Sequence, residues 1–462
     1  MPIPMKTVAT LLLCVCATTA TAQQKTPGTY ERAIAAGYKA LTLCSGLFNA
    51  GRTEAQLSAL ELKGIYPEYD AIVPTLAANI DARTKMVSVA FDDAQAPRIA
   101  AWRPNLGCTQ LPIGATADAA ATLPRFDEQA PRLDDKPWPL GDKQATARVR
   151  GDRRALDRSV ALAFGKHFGE GSETTSVIVV QRGRIVAEKY REGFGPQVSQ
   201  RTWSVAKSLT GTLIGIARSE GLADPAKPVP LAQWQVPGDP RAAITTDNLL
   251  RMASGLYSAT AGNRTDALYF GGATVDQDAA ASPELMPPGS TFRYANNDIV
   301  LAARGLRESI GDNAKALAFP FKQLLWKIGM TRTVPETDWH GNFVLSSQVW
   351  STARDLARLG LLYQNDGMFL GQRLLPEGWR RYVTTPSGPQ PPTGEFGYGA
   401  TFWLLNRSPG VPADTFSAFG NRGQYVIIVP SRNVVIVRRG EDPAGAKFDV
   451  AQFTAEMLAA LE

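Results

Sequence analysis

Ser204 and Lys207, a serine and a lysine three residues apart, are the residues best suited to carry chemistry in this sequence. The surrounding pattern predicts a helix over residues 203–220, which would place the amine one turn after the hydroxyl on the same face. A helix N-terminus favours negative charge, and a buried lysine can lose enough basicity to accept a proton. The pair therefore predicts a nucleophilic serine with a lysine base. The alternative is a chance spacing with an exposed lysine.

A second polar group, Tyr294 and Asn296, follows a Pro- and Gly-rich turn at residues 287–290 that would present the tyrosine on a loop. A phenol beside an ammonium can relay a proton to a leaving group. The amide of Asn296 could hold Lys207 or a substrate carbonyl. Tyr363 begins a similar Tyr-x-Asn pattern, but it falls on the apolar face of a predicted helix and is expected to pack in the core.

The third element is a strand and turn near the C-terminus, residues 416–424, which contains Gly420 and Asn421. Acyl transfer needs a main-chain N–H, besides that of Ser204, to hold the developing oxyanion. Glycines at a strand edge let a carbonyl approach closely. The segment would also suit an ordinary Gly-rich turn between two strands.

Other hydrolytic chemistries find no support in the sequence. It has no His-Glu-x-x-His motif, no Cys/His cluster with metal-ligand spacing and no Gly-x-Ser-x-Gly elbow. A Ser-His-Asp triad would have to use His167 or His340, and neither lies in a suitable setting. We therefore expect no metal site.

Taken in order, these elements resemble the serine β-lactamase and penicillin-binding superfamily, most of all the class C β-lactamases, related esterases and 6-aminohexanoate-dimer hydrolases. The segments that carry the resemblance are Ser204-x-x-Lys207, residues 244–256, residues 287–296, residues 351–360 and residues 423–430. The resemblance covers roughly residues 170–462. It implies a serine hydrolase that cleaves a small amide or ester through an acyl-Ser204 intermediate, with Lys207 and Tyr294 moving protons and without a cofactor.

One departure from the family bears on the substrate. Its lactamases and carboxypeptidases carry Lys-Thr-Gly or a His-x-Gly variant on the active-site strand, whereas this strand reads Ala418-Phe-Gly420-Asn421. The missing cation favours an amide or ester hydrolase, although Arg422 could restore a charge in a shifted register. The oxyanion N–H is then that of Asn421, which we prefer, or that of Gln424. The alternatives are a penicillin-binding or β-lactamase-type protein, or a catalytically slow cell-wall sensor or scaffold.

Strands at both ends with helices between them predict an α/β (α+β) fold, in which helices flank an antiparallel sheet formed from both termini. A strong hairpin pattern covers residues 176–190 with its turn at 182–183. The later strands are predicted at residues 397–405, 415–420, 424–430 and 434–439, and further helices at 245–253, 351–363 and 452–461. The family resemblance adds an all-helical region.

The N-terminal part predicts export followed by a small extension. Residues 1–22 have the charged, apolar and small-residue regions of a cleavable signal peptide, which indicates a periplasmic or secreted protein; a lipoprotein anchored through Cys14 or Cys16 is the alternative. Residues 23–115 form the extension, with a helix at 30–47 and strands at 84–90 and 99–103. A Pro-rich linker or wrap at 116–149 then leads to the hydrolase domain, residues 150–462.

Cysteine usage and charge narrow the possible partners. Removal of the signal peptide leaves Cys44 and Cys108, which are expected to pair in an oxidising compartment. The net charge is only +6, and the basic run at residues 148–158 has no interleaved aromatics, so we expect no nucleic-acid partner. No segment has the length of a transmembrane helix, and the sequence does not indicate an oligomeric state.

Overall fold

The structure of the protein is a computed structural model that describes Met1 and residues 27–143, 147–258 and 265–462. The predicted signal peptide lies outside these residues, apart from Met1. None of the helices within the described ranges has the length and apolar character needed to cross a membrane.

The extension consists of three helices and a four-stranded antiparallel meander. Its elements are α1 (Thr29–Phe48), α2 (Glu54–Leu60), α3 (Pro67–Asp70), β1 (Ala78–Asp81), β2 (Met86–Val89), β3 (Arg98–Arg103) and β4 (Gly107–Gln110). The strands lie in the order β1-β2-β3-β4, and α1 packs on the sheet. The predictions of α1, β2 and β3 are confirmed. The strands β1 and β4 and the helices α2 and α3 were not predicted; the two helices are too short to show a clear helical period.

A seven-stranded antiparallel sheet in the order β12-β13-β14-β15-β16-β5-β6 forms the centre of the hydrolase domain. The remaining strands are β5 (Thr174–Gln181), β6 (Arg184–Tyr190), β7 (Gln200–Arg201), β8 (Val334–Pro335), β9 (Val349–Ser351), β10 (Met368–Phe369), β11 (Gln372–Arg373), β12 (Gly397–Tyr398), β13 (Trp403–Leu404), β14 (Phe416–Gly420), β15 (Gln424–Val429) and β16 (Val434–Gly440). Strands from both ends of the domain meet where β16 pairs with β5, as the sequence predicts.

The hairpin at residues 176–190 is confirmed, with Arg182 and Gly183 at positive φ in its turn. The strand predicted at residues 397–405 is wrong in extent. It forms two short strands, β12 and β13, because the chain reverses between them, where Thr401 takes a φ of 66°.

Helices cover both faces of this sheet. They are α4 (Arg153–Leu162), α5 (Val205–Ser219), α6 (Thr246–Leu250), α7 (Asp266–Tyr269), α8 (Asn296–Ile310), α9 (Asn313–Phe319), α10 (Ala353–Gln364), α11 (Trp379–Thr384) and α12 (Val450–Ala459). α5 and α10 pack on one face, and α4 and α12 pack together with β6 at the other. The predicted helix at 245–253 is shorter than expected, and the core position of Tyr363 on α10 is confirmed.

Aromatic packing joins the extension to the hydrolase domain in one continuous core. The ring of Tyr38 on α1 packs 5.0 Å from that of Phe270, and the ring of Tyr66 packs 5.5 Å from it. The approach is so close that a Cβ on Gly37 would meet the Phe270 carbonyl oxygen at 2.0 Å. Arg98 donates a 2.8 Å hydrogen bond to the same carbonyl. The extension is therefore an integral part of the fold.

Glu336 anchors the extension from the hydrolase side. Its buried carboxylate accepts hydrogen bonds from Ser45 Oγ (2.6 Å), Asn49 Nδ2 (2.9 Å) and the main-chain N–H of Cys108 (3.0 Å). Burial raises the pKa of Glu336 to about 7, and these three donors act in the opposite direction. The Glu336 carboxylate thus holds α1 and β4 together close to Cys44 and Cys108, which form a disulfide.

The Pro-rich segment at residues 116–143 lies along the hydrolase domain and is held there by polar contacts. Arg358 on α10 donates to the carbonyls of Pro139 and Gly141, both at 2.7 Å, and forms an ion pair with Asp142. The ring of Phe126 stacks 5.0 Å from that of Phe321. The segment therefore follows a fixed path between the extension and α4.

The disulfide between Cys44 and Cys108 is present, with a Cα–Cα distance of 6.1 Å, and it joins α1 to β4 across 64 positions. A loop of this length is expected to stabilise the fold by roughly 4 kcal/mol, chiefly by restricting the unfolded chain. Reduction should lower the free energy of unfolding by up to that amount in denaturant titrations. A Cys44→Ser/Cys108→Ser variant is the control and should not respond to reductant. Equal unfolding midpoints for the oxidised and reduced protein would contradict the prediction.

Candidate functional site

The start of helix α5 places the candidate nucleophile at the sheet surface. Ser204 is the N-cap residue, one position before the helix, and Lys207 lies in the first turn. The helix is buried along almost its whole length because small residues let neighbours approach. A Cβ on Gly211 would meet the Thr401 hydroxyl at 2.4 Å, and one on Gly215 would meet the Trp379 ring. A lysine on this helix is therefore removed from water.

The amine of Lys207 is only 1% exposed and has three hydrogen-bond partners. Nζ lies 2.9 Å from Ser204 Oγ, 2.6 Å from Asn296 Oδ1 and 2.9 Å from the carbonyl oxygen of Ser346. Burial lowers the pKa of Lys207 to about 7, Arg201 contributes in the same direction, and Asp298 opposes them. An amine with this pKa can exist uncharged near neutral pH, which is the form that accepts a proton.

Tyr294 and Asn296 reach the same point from the loop before α8. The Tyr294 ring centroid lies 5.0 Å from Lys207 Nζ, and the ring packs 5.4 Å from that of Trp403. Burial raises the pKa of Tyr294, and interaction with Ser204 acts in the opposite direction. The structure thus brings together the four polar residues that the sequence singled out. Their catalytic roles stay a prediction.

Asp298 belongs to this cluster, although sequence reasoning did not single it out. It lies two residues after Asn296 on α8 and is buried, where it accepts a 2.7 Å hydrogen bond from Ser254 Oγ. Burial raises the pKa of Asp298 to about 7, while Ser254 and Lys207 lower it. This contact gives Ser254, within residues 244–256, a structural role. Its hydroxyl holds the carboxyl group that raises the pKa of Lys207.

Trp203, immediately before the nucleophile, has a strained backbone. Its φ of 50° is rarely adopted by a bulky residue and costs on the order of 1–3 kcal/mol. Packing on both sides holds it there, because the Arg201 guanidinium lies 3.9 Å from the Trp203 ring and Tyr66 packs 6.5 Å from it. The strain turns Ser204 toward the cleft at the end of β7.

The candidate oxyanion strand, β14, runs directly beside the nucleophile. A Cβ on Gly420 would meet the carbonyl oxygen of Thr202 at 2.4 Å, so only glycine permits this approach. Asn421 follows in the turn and lines the cleft with Ser204. The N–H groups of these two residues donate to no acceptor within the described residues. Gln424, whose main-chain N–H was the other candidate, is the first residue of β15 and pairs with Gly420 in the sheet; its side chain donates to the carbonyl of Gly440.

Arg422 does not supply the missing cation, so the shifted-register alternative is wrong. Its guanidinium is buried beneath the turn, where it forms an ion pair with Glu441 and donates to the carbonyls of Glu441 (2.7 Å) and Asp442 (3.0 Å). Arg438 donates a 3.0 Å hydrogen bond to the carbonyl of Gly423. These buried arginines hold the turn from below and keep positive charge out of the cleft.

The extension contributes two residues to this buried charge cluster. Arg52 forms an ion pair with Glu61 and lies 3.7 Å from Glu441. Burial raises the pKa of Glu61, as does the neighbouring Glu441 carboxylate. Burial also raises the pKa of Glu441, but Arg422 and Arg52 outweigh it and leave that pKa below its usual value. The oxyanion turn and the extension are therefore joined through a single set of buried charges.

Ser204 opens into a cleft of about 520 Å³, and six of the fourteen described residues that line it are aromatic. Among the described residues, it is lined by Ile65, Tyr66, Pro67, Trp203, Ser204, Asp266, Tyr269, Tyr294, Asn296, Ser347, Trp403, Phe419, Gly420 and Asn421. That list contains one carboxylate and neither Lys nor Arg. Residues 259–264 lie outside the described residues.

Comparison with known proteins gives the family. The family model described as Beta-lactamase matches residues 163–460, so the chain belongs to the beta-lactamase family and is a hydrolase of that family. The range that matches the family model begins after the extension and the Pro-rich segment. Most of the residues that build the cleft described above fall within the matched range.

Individual relatives agree with this assignment. The 6-aminohexanoate-dimer hydrolase of Paenarthrobacter ureafaciens is 28% identical over 307 residues, covering 58% of this chain and 73% of the relative. A penicillin-binding protein homologue from Caulobacter crescentus has the same fold, with a TM-score of 0.53 and 17% identity over 68% of this chain and 98% of its own. So does EstCE1, described as a hydrolase with promiscuous acyltransferase activity, with a TM-score of 0.52 and 15% identity over 67% of this chain and 99% of its own.

The Lys207 environment predicts the acid limb of the activity profile. The uncharged amine exists above its pKa of about 7, so kcat/KM should fall as the pH drops through that value. Asp298→Asn removes a negative charge that raises this pKa, so the limb should move to lower pH. Asp366→Asn, at a half-exposed position, is the matched control. A limb that stays in place or moves to higher pH in Asp298→Asn would contradict the prediction.

Proposed function

We propose that the protein is an exported serine hydrolase that cleaves an amide or ester bond through an acyl-Ser204 intermediate. The observation that carries the proposal is the 2.9 Å contact between Ser204 Oγ and an amine whose pKa is lowered to about 7. A hydroxyl next to an uncharged amine can lose its proton as it attacks a carbonyl. Membership of a hydrolase family supports the same reaction class.

Acylation would proceed with three proton transfers. Ser204 Oγ attacks the substrate carbonyl while its proton passes to Lys207 Nζ, aided by the adjacent phenol of Tyr294. The resulting oxyanion would accept hydrogen bonds from the main-chain N–H groups of Ser204 and Asn421, which line the cleft and are available to donate. As the tetrahedral intermediate collapses, Tyr294 protonates the leaving amine or alcohol and is reprotonated from Lys207.

Deacylation would use the same groups in reverse. Water gives up a proton to Lys207 or Tyr294 as it attacks the acyl carbonyl, and Ser204 recovers its proton when the ester bond breaks. Asn296, at 2.6 Å from Lys207, holds the amine beside the Ser204 hydroxyl and the Tyr294 ring. The cycle uses only groups of this chain.

Export is part of the proposal and rests on two features. Residues 1–22 have the composition of a cleavable signal peptide, and the Cys44–Cys108 disulfide is typical of proteins that fold in an oxidising compartment. We therefore propose a periplasmic or secreted location.

Replacing the nucleophile gives a direct test. Ser204→Ala should lower ester hydrolysis by at least about a thousandfold and abolish labelling by a fluorophosphonate probe, with the melting temperature essentially retained. Ser219→Ala, at the far end of the same helix, is the control and should keep both signals. A labelled Ser204→Ala protein would refute the assignment. Stoichiometric labelling of the native protein without turnover would favour a sensor or scaffold.

The cleft lining supports a substrate without a carboxylate next to the scissile bond. Such a carboxylate would meet no Lys or Arg among the described lining residues, and it would share the cleft with Asp266. Losing one charge-assisted hydrogen bond costs on the order of 1.5–3 kcal/mol, or about ten- to a hundredfold in rate. Neutral acyl groups are therefore favoured over β-lactams and D-Ala-D-Ala peptides.

Substrate preference follows as a measurable ratio. Short-chain p-nitrophenyl esters or short amides should exceed nitrocefin in kcat/KM by at least about tenfold, measured on the mature protein at one pH. The Ser204→Ala variant measured alongside removes background hydrolysis. Faster turnover of nitrocefin would show that the cleft binds a carboxylate after all.

A further inference from the structure

One wall of the catalytic cleft comes from the extension. Residues 65–67, which lead from the segment after α2 into the first residue of α3, line the same cavity as Ser204 although they lie outside the range that matches the family model. We call these three residues the substrate wall. Ile65 and Tyr66 are buried, whereas Pro67 is exposed toward the cleft. The wall therefore has two buried residues, Ile65 and Tyr66, and one residue, Pro67, that a substrate can contact at its exposed edge.

Hydrogen bonds on both sides fix the substrate wall to the hydrolase domain. On one side, the carbonyl of Gly64 accepts a 3.0 Å bond from the N–H of Ala444. On the other, Tyr69 Oη donates a 2.7 Å bond to Asp266, which also lines the cleft and lies within the range that matches the family model. Pro67 is the first residue of α3, and its ring restricts φ at that point. The wall is consequently held in place on either flank.

The wall is also backed by aromatic rings. Tyr66 makes an edge-to-face contact with Tyr38 at 4.9 Å and another with Phe270 at 5.5 Å, and it packs 6.5 Å from Trp203. These rings belong to the core shared by the extension and the hydrolase domain. Close-packed interiors yield little to a bulky guest, so the wall limits the cleft as a rigid surface.

We infer that the substrate wall sets the width of the group next to the scissile bond, so that the substrates are esters or amides with a flat or unbranched apolar group. This rests on the proposed acyl-Ser204 function. Six aromatic residues are among those described as lining the cleft, and two of them, Trp403 and Phe419, stack with their rings 5.8 Å apart. A planar ring gains contact with such surfaces, whereas a thicker group must displace the wall.

Two esters with the same leaving group separate thickness from other properties. p-Nitrophenyl phenylacetate and p-nitrophenyl cyclohexylacetate share their carbon skeleton, but the cyclohexyl ring is thicker than the phenyl ring. The native protein should prefer the phenylacetate. The ratio that matters is kcat/KM for the phenylacetate divided by kcat/KM for the cyclohexylacetate. Ile65→Ala and Pro67→Ala should each lower this ratio by about tenfold, since one missing or surplus methylene in a pocket is worth that order of selectivity.

The matched control is Lys63→Ala, an exposed residue two positions before the wall that does not line the cleft. It should leave the ratio unchanged. Pro67→Trp adds bulk at the exposed edge and should raise the ratio. Because Ile65 is buried, its truncation could impair folding; the two Pro67 variants then decide the matter by themselves.

An unchanged ratio in folded wall variants, with melting temperatures close to native, would overturn the inference. Ser204→Ala measured with both esters separates this failure from a failure of the proposed function. Persistent turnover in Ser204→Ala would refute the nucleophile. Lost turnover in Ser204→Ala together with an unchanged ratio in the wall variants would refute the substrate wall alone.

Discussion

Burial of one amine is the constraint on which the site depends. In the proposed mechanism, Lys207 exchanges protons with Ser204 only if it is held away from water, and water is excluded because α5 is buried against β14 and α8. The small residues Gly211 and Gly215 permit that close packing. Removing a charge from water is unfavourable, so the protein surrounds the amine with the oxygens of Ser204, Asn296 and Ser346. Burial itself lowers the pKa of Lys207 to about 7.

A second buried set of charges acts on the oxyanion side. Arg422 and Arg438 hold the turn after β14 from below, and their carboxylate partners are Glu441 and Asp442. Because Arg52 and Glu61 from the extension complete this set, the position of Asn421 depends on residues more than three hundred positions earlier in the chain. The extension thereby contributes both to the cleft surface and to the support of its polar edge.

Local patterns carried most of what the sequence could predict. The Ser204–Lys207 spacing and the hairpin at 176–190 depend on residue type and short-range order, whereas the disulfide was predicted because only Cys44 and Cys108 remain after the expected signal peptide; the structure contains each of them. Long-range contacts carry no such pattern. The link between Asp298 and Lys207, the wall at 65–67 and the burial of Arg422 arise only when distant segments meet. One strand also could not be told from two short ones at 397–405, because glycines such as Gly399 occur inside strands as well, and the turn at Thr401 has no proline.

The continuous core between the two parts of the chain has a consequence for how the fold can be rearranged. Tyr269 and Phe270 of the hydrolase domain are covered by α1 and the residues around Tyr66. Cutting the chain at residue 150 would uncover these rings as a contiguous apolar patch, which invites aggregation. The hydrolase domain therefore cannot be grafted or recombined as a self-sufficient module; any exchange with a relative has to carry both sides of this interface.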